Sequence, residues 1–137
     1  MANRLRQPAT LRGATIGAPP GSPTGPSDSE TPAFCFKFCQ NGFKIENLSD
    51  EYKVALADKL HKLSERSWTT IKTEDRKKNG TEIIVRTSLR KSIPGDITED
   101  VKILAFHLPN LFRMLGWRNH RIFHVIWLDP NGELYQH

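Results

Sequence analysis

The apolar positions change their period along the chain, and each period predicts a different element. In Phe34–Phe38 an aromatic residue stands at every second position, which is typical of a strand with one buried face. Over Tyr52–Leu63 the apolar residues instead recur at helical spacing, and Ser49 before them offers an N-cap hydroxyl. The pattern therefore predicts a strand, then a helix that ends near Arg66. A further apolar pair allows the helical region to continue to Ile71.

Three longer apolar segments follow the Pro94-Gly95 break, and each of them reads as a strand. They are Lys102–Leu108, Leu111–Arg118 and Arg121–Leu128. Because the connections between them are too short for parallel crossovers, neighbouring strands should pair antiparallel. The shorter segment Thr81–Arg86 has the β-branched content of a strand but is also compatible with a helical turn.

The order of these elements predicts an α+β fold with a single domain over residues 33–137. An N-terminal strand and one or two helices come first, and an antiparallel meander of three to four strands follows, so that one sheet packs against its helices. Residues 1–32 are rich in Pro and Gly and contain no bulky aromatic residue. Such a composition cannot bury enough apolar surface to offset the entropy of ordering, so this segment is predicted to be a disordered tail.

Alternation along the last long strand predicts two apolar faces. One face carries Ile122, His124, Ile126 and Leu128, and the other carries Phe123, Val125 and Trp127. A strand that is apolar on both sides is central in its sheet, and a histidine among isoleucines is more often a satisfied core residue than a functional one. On the preceding strand, alternation puts Arg113 and Arg118 on opposite faces unless Gly116 permits a bulge.

The net charge of the chain and the absence of known motifs limit the classes of function that the sequence supports. The chain has 20 Lys and Arg against 15 Asp and Glu, a formal net charge of +5, which favours a polyanionic partner. No apolar run approaches the roughly 20 residues that span a bilayer, and the N-terminus lacks the apolar core of a secretory signal. We therefore expect a cytoplasmic protein without membrane contact. Signatures of nucleotide-binding loops, zinc proteases and serine hydrolases are absent from the sequence.

Cationic and titratable side chains concentrate near the end of the chain. The set comprises Arg113, Arg118, His120, Arg121 and His124, with Tyr135 and His137 nearby if the last segment pairs with the sheet. Arginine offers a planar fork of donors to a phosphate, and histidine exchanges protons near neutral pH. The set therefore contains the groups needed to cleave a phosphodiester, although the same residues could serve only to solubilise a hairpin.

Two further groups of residues bear on ligand binding. Lys77 and Lys78 belong to a charged connection before an Asn-Gly turn, which is either a solvated loop or a phosphate clamp. The spacing of the histidines and the lack of a nearby carboxylate cluster do not support a metal site. The sequence therefore predicts no metal and no cofactor.

The closing sequence FRMLGWRNHRIFHVIWLDPNGELYQH, after a strand and a helical pair, resembles the RelE/ParE superfamily of small bacterial toxins. The resemblance covers residues 34–137. It implies a metal-independent endoribonuclease that cuts messenger RNA, usually on the ribosome, and that an antitoxin protein neutralises. Members of the ParE type inhibit gyrase without nuclease chemistry, so a non-catalytic basic binding protein is the alternative.

The resemblance also implies roles for individual residues. Arg113 and Arg118 would bind the scissile phosphate, and Tyr135 or His137 would take part in proton transfer while the ribose 2′-hydroxyl attacks the phosphate. The residues expected to bind RNA around this centre are Arg121, His120, His124, Lys77 and Lys78.

Overall fold

The computed structural model describes residues 27–136, so the predicted tail up to residue 26 and the candidate His137 lie outside the described residues. The elements are β1 (Ala33–Cys35), α1 (Asp50–Ser64), α2 (Trp68–Thr73), β2 (Thr81–Ile84), β3 (Ile103–His107), β4 (Arg113–Asn119) and β5 (Ile122–Asp129), with 3₁₀ turns at Ile45–Asn47 and Arg86–Ser88. The predicted α+β class is confirmed. Within residues 27–136, no helix is both long and apolar enough to cross a lipid bilayer.

The five strands form one mixed sheet in the order β1-β5-β4-β3-β2. Strands β2 to β5 pair antiparallel, as the short connections between β3, β4 and β5 predict. The sheet is not purely antiparallel, however, because β1 pairs parallel with β5. Both helices and three strands separate β1 from β5 along the chain, and a connection of that length permits the parallel pairing.

Local signals in the sequence set the helix starts. The Ser49 hydroxyl accepts a hydrogen bond from the backbone of Tyr52, which confirms the predicted N-cap of α1. Ser67 caps α2 in the same way, so the helical region divides into two helices. Strand β1 is shorter than the aromatic alternation predicts, because a turn at Phe36 brings the Cys39 amide back to the Phe36 carbonyl.

Residues 27–32, which composition assigns to the tail, contact the folded part. The Asp28 carbonyl accepts from the Thr69 amide and the Glu30 carbonyl accepts from the Trp68 amide, so this segment lies against the start of α2. The Asp28 carboxylate also pairs with Lys72. Composition alone does not foresee these contacts, since they depend on where α2 lies in the fold.

Both faces of the sheet are covered, which explains why β5 is apolar on both sides. On one face α1 and α2 pack over a cluster that includes Phe106, Met114, Phe123, Val125 and Leu128. The other face carries Ile103, Ala105, Leu115, Ile126 and Trp127, and irregular segments containing Ile97, Leu134 and Tyr135 cover it. The last segment, residues 130–136, therefore closes a core without forming a strand.

A bulge in β5 alters the faces that simple alternation predicts. The register passes from Leu115 opposite Trp127 to Gly116 opposite Val125, which leaves Ile126 as the extra residue. Leu128 consequently packs on the helix side, not on the side of Ile126, where it was predicted. At Gly116 a Cβ would lie 2.0 Å from the His124 carbonyl oxygen, so the close approach of the two backbones requires glycine.

Candidate functional site

A cleft of about 960 Å³ opens between α1, the loop Asp75–Gly80 and the turn that joins β3 to β4. We call the loop the basic loop. The charged residues that line the cleft are Lys59, Lys62, Arg76, Lys77, Lys78 and Arg113, together with Glu51, Asp58 and Glu82. Six cationic side chains thus face three carboxylates. The excess of positive charge favours an anionic ligand.

The backbone of the basic loop forms an ordered turn, on which the side chains of Arg76, Lys77 and Lys78 are exposed. The Asp75 carbonyl accepts from the amides of Lys78 at 2.9 Å and Gly80 at 3.0 Å, and the Asp75 carboxylate accepts from the amide of Lys77 at 2.7 Å. A Cβ at Gly80 would lie 2.1 Å from the Glu74 carbonyl oxygen, so the turn closes tightly. The loop therefore presents its three consecutive cations to the cleft in a fixed order.

The side chain of Glu74 ties this loop to the end of α1. One carboxylate oxygen accepts from the Arg66 guanidinium at 2.8 Å, and the other accepts from the Asn79 side-chain amide at 3.3 Å. The loop is thus fixed at both its start and its end. A loop whose backbone is already ordered loses less conformational entropy when it binds a phosphate.

A titratable cluster lies at the floor of the cleft, where β2 and β3 run side by side. One oxygen of Glu82 accepts hydrogen bonds from His107 Nε2 at 2.8 Å and from the Tyr135 hydroxyl at 3.0 Å. The guanidinium of Arg76 lies 3.6 Å from the other oxygen. The side chain of His107 is 13 % exposed and that of Glu82 is 22 % exposed. We call these residues the Glu82 cluster.

The environment sets the proton occupancy of the cluster. Burial raises the pKa of Glu82, but the hydrogen bonds from His107 and Tyr135 outweigh it and hold this pKa below its usual value. Burial lowers the pKa of His107 despite the neighbouring carboxylate. Burial and the Glu82 charge raise the pKa of Tyr135. At neutral pH the cluster is therefore a carboxylate that accepts from a neutral imidazole and a protonated phenol.

This proton arrangement leaves one ring nitrogen of His107 available. A carboxylate only accepts hydrogen bonds, so Nε2 must carry the hydrogen and Nδ1 must be the acceptor. Within residues 27–136, Nδ1 has no hydrogen-bond partner and is not fully enclosed. His107 also lines the cleft. A neutral imidazole that is oriented by a carboxylate and has a second nitrogen without a partner has the chemistry of a general base.

Arg113, predicted to bind the phosphate, lies beneath the cleft. It is 7 % exposed, and one of its terminal nitrogens donates to the carbonyls of Asn110 at 3.0 Å and Phe112 at 2.9 Å. Its charge opposes the upward shift of the Tyr135 pKa, so Arg113 and Tyr135 do lie near each other. Because backbone carbonyls engage this terminal nitrogen, Arg113 supports the turn under the cleft, while its Nε is buried without a hydrogen-bond partner within residues 27–136.

Arg118 does not join Arg113, and the predicted shared phosphate site is not formed. Its guanidinium lies 4.3 Å from the centre of the Trp68 ring on the helix side of the sheet. It donates to the Ser27 hydroxyl at 2.9 Å, to the Asp28 carboxylate and to the His120 carbonyl. Five residues along a strand span roughly 16 Å, and the odd separation puts the two arginines on opposite faces, as alternation predicts.

Three other predicted RNA-binding residues surround the β4–β5 turn, at the far end of the strands from the cleft. His120 lies in the turn itself, with a φ of 56°. Arg121 donates to the Thr31 carbonyl at 3.1 Å. His124 stacks on Trp117 with ring centres 4.5 Å apart, and burial lowers its pKa. We call this region the hairpin end; of the predicted RNA-binding residues, only Lys77 and Lys78 line the cleft.

The residues that sequence reasoning did not assign to a catalytic or RNA-binding site are Glu82, His107, Arg76 and Lys59. Glu82 and His107 are 25 positions apart, and only the register of β2 against β3 brings them together. Within residues 27–136, no group of three or more His, Cys, Asp or Glu side chains is arranged to hold a metal ion.

No family model matches this chain, and neither a curated protein nor a solved structure does. The resemblance to the RelE/ParE superfamily therefore stays a prediction.

Proposed function

We propose that this protein is an endoribonuclease that cuts RNA in the cleft without a metal ion. The observation that carries the proposal is the Glu82 cluster, because its oriented neutral histidine lies at the floor of a cleft lined by six cationic side chains. Cationic walls attract the phosphate backbone, and the histidine supplies proton transfer near neutral pH. This combination suits phosphodiester cleavage better than any site formed by the hairpin end.

The reaction uses the 2′-hydroxyl of the RNA as the nucleophile. Nδ1 of His107 takes the hydroxyl proton while the oxygen attacks the adjacent phosphorus, and Glu82 stabilises the imidazolium that forms. Arg76 and the lysines of the basic loop neutralise the added negative charge on the phosphate. The bond to the 5′ oxygen breaks, and that oxygen takes a proton from water. The products are a 2′,3′-cyclic phosphate and a 5′-hydroxyl end, and the imidazolium then returns its proton to solvent.

The resemblance stated above suggests the biological setting. Messenger RNA in the cytoplasm, engaged by the ribosome, is the proposed substrate, and an antitoxin protein is the proposed inhibitor. DNA lacks the 2′-hydroxyl that this mechanism needs, so it would be bound but not cut.

A second candidate is a basic protein that holds RNA without cutting it. The enclosure of His107 favours this candidate, because a side chain that is only 13 % exposed has little room beside a ribose. Both candidates use the same cationic walls. The two candidates differ only in whether the protein cuts the RNA that it binds.

The test is cleavage of a labelled single-stranded RNA in the presence of EDTA by the wild type, His107→Gln and His61→Gln. His61 is the matched control because it lies on α1 with a side chain that is 74 % exposed. We expect the His107 variant to lose about 100-fold or more in rate and the His61 variant to match the wild type. Intact RNA with the wild type, or equal cutting by both variants, would reject the nuclease. Binding without cutting would support the second candidate.

A further inference from the structure

Lys59 is a buried cation in the wall of the cleft that the proposed reaction does not use. It lies on α1, is 8 % exposed, and lines the cleft. Its ammonium donates to the Lys78 carbonyl and to the side-chain oxygen of Asn79 at 3.3 Å. Both acceptors belong to the basic loop. Lys59 therefore joins α1 to the part of the loop that carries the cations.

The charge of Lys59 is poorly compensated inside the protein. Within residues 27–136, no carboxylate lies within ion-pair distance of its ammonium. Burial lowers its pKa to about 8, the charges of Lys62 and Arg66 add to this effect, and Glu74 opposes it. A buried ammonium whose two contacts are neutral oxygens costs stability, and an anion in the cleft would supply the missing opposite charge.

We infer that Lys59 is an anion-binding residue of the cleft, which holds a phosphate of the bound RNA while it fixes the basic loop. An ammonium has three N–H donors, and two of them are engaged by the loop, which leaves one for a ligand. The side chains of Arg76, Lys77 and Lys78 would bind neighbouring phosphates of the same RNA along the basic loop. The inference rests on the proposed function only in naming RNA as the source of the phosphate.

The experiment measures the affinity of a short labelled oligonucleotide of 2′-O-methyl adenosine and cytidine by fluorescence anisotropy. This probe cannot be cut by 2′-hydroxyl attack, and its bases do not ionise near or above neutral pH. The proteins are the wild type, Lys59→Met, Lys59→Arg and Lys62→Met, each measured between about pH 7 and pH 9.5. Lys62 is the matched control because it lines the same wall but its side chain is exposed.

We expect the wild type to lose about tenfold in affinity over this range, as Lys59 gives up its proton. Lys59→Met should bind about tenfold more weakly at pH 7 and change little with pH, whereas Lys59→Arg should bind tightly at every pH, because arginine stays charged. Lys62→Met should bind more weakly than the wild type at pH 7 and still lose affinity as the pH rises, but at a higher pH, because the Lys62 charge no longer lowers the pKa of Lys59. The amino terminus also titrates near pH 8, and the Lys59→Met curve measures that contribution.

A second measurement separates anion binding from a purely structural role. The folded pKa of Lys59 lies below that of the unfolded chain, so the unfolded chain binds more protons between about pH 8 and pH 10.5. The contribution of Lys59 to the free energy of unfolding should therefore rise with pH in this window, measured by urea denaturation without RNA. RNA affinity should fall in the same window, whereas a residue that only ties the loop would give the rise in stability without the fall in affinity.

Each outcome decides between the two proposals. Equal affinities for the wild type and Lys59→Met, or the same dependence on pH in both, would overturn the role of Lys59. If Lys59→Met does not fold, a pH dependence that persists in Lys59→Arg would overturn it. Failure of the wild type to bind the probe would overturn both proposals. Binding that depends on Lys59, without cutting of unmodified RNA, would support the phosphate site and reject the nuclease.

Discussion

The cleft and the hairpin end lie at opposite ends of β4 and β5, and both contain arginine or histidine, but the fold uses these residues differently. At the hairpin end Arg118 and Arg121 donate to groups of the protein itself. His124 stacks on Trp117 and meets Phe38 edge-on, and its Nδ1 is buried without a hydrogen-bond partner within residues 27–136. At the cleft His107 keeps one nitrogen without a partner within residues 27–136, and the basic loop presents its cations to open space. A high density of cationic residues therefore does not locate a site. For Arg118 and Arg121, what matters is that internal acceptors already engage their donors, and for the histidines it is that His107 lines the cleft and His124 does not.

The largest expected difference between the two ends is in catalysis. Glu82→Gln should reduce the rate of RNA cleavage by about 100-fold or more, because a neutral amide cannot stabilise the imidazolium of His107. Arg121→Ala, at the hairpin end, should leave the rate within about twofold, since its contacts are internal. Rates come from single-turnover cleavage of a labelled RNA in EDTA. A larger loss of rate in Arg121→Ala than in Glu82→Gln would show that the active site lies at the hairpin end.

The next difference is in stability. Arg118→Ala should lower the free energy of unfolding by about 2 kcal/mol, because it removes the contact with Trp68 and leaves the His120 carbonyl without its donor. Arg76→Ala, at the cleft, should change it by less than about 0.5 kcal/mol, since its ion pair with Glu82 is exposed on the arginine side. Urea denaturation measures both values. Equal losses would mean that the two ends do not differ in this way.

The sequence predicts the local elements well and their long-range pairing poorly. The N-cap at Ser49 and the alternation in β3, β4 and β5 depend on neighbouring residues, so they can be read directly. The parallel pairing of β1 and the extra residue at Ile126 depend on contacts between distant strands. Tyr135 and Glu82 are 53 positions apart and meet only because irregular segments cover one face of the sheet. The sequence therefore predicts Lys77, Lys78, Arg113 and Tyr135 as site residues. It does not predict Glu82 and His107, whose contact gives the Glu82 cluster its chemistry.

A smaller difference is expected in RNA affinity. The double variant Lys77→Ala/Lys78→Ala should reduce the slope of log affinity against log salt by about 1.4, because each cation releases roughly 0.7 counterions from a single strand. The matched control is Lys37→Ala/Lys53→Ala, which removes the same charge at exposed positions outside the cleft. Anisotropy titrations of the 2′-O-methyl probe at several salt concentrations give both slopes. Equal slopes for the two double variants would mean that RNA does not follow the basic loop.

The smallest expected effect is on the dependence of stability on pH. Burial depresses the folded pKa of both His107 and His124, so each contributes stability that is fully present above about pH 6.5. That stability is lost as the pH falls through the folded pKa, because the imidazoles must then be charged. His124→Phe should flatten this loss in urea denaturation between about pH 7 and pH 5 and leave RNA cleavage unchanged. A variant with the wild-type slope would show that His124 does not contribute.

The claim that the cleft and not the hairpin end holds RNA is tested most directly by mapping contacts in the unaltered protein. A short RNA with 4-thiouridine at successive positions can be crosslinked by light and the attached residues identified by mass spectrometry. We predict crosslinks in residues 76–79 of the basic loop and 107–110 of the turn beside it. Crosslinks concentrated in residues 118–124 would contradict this account.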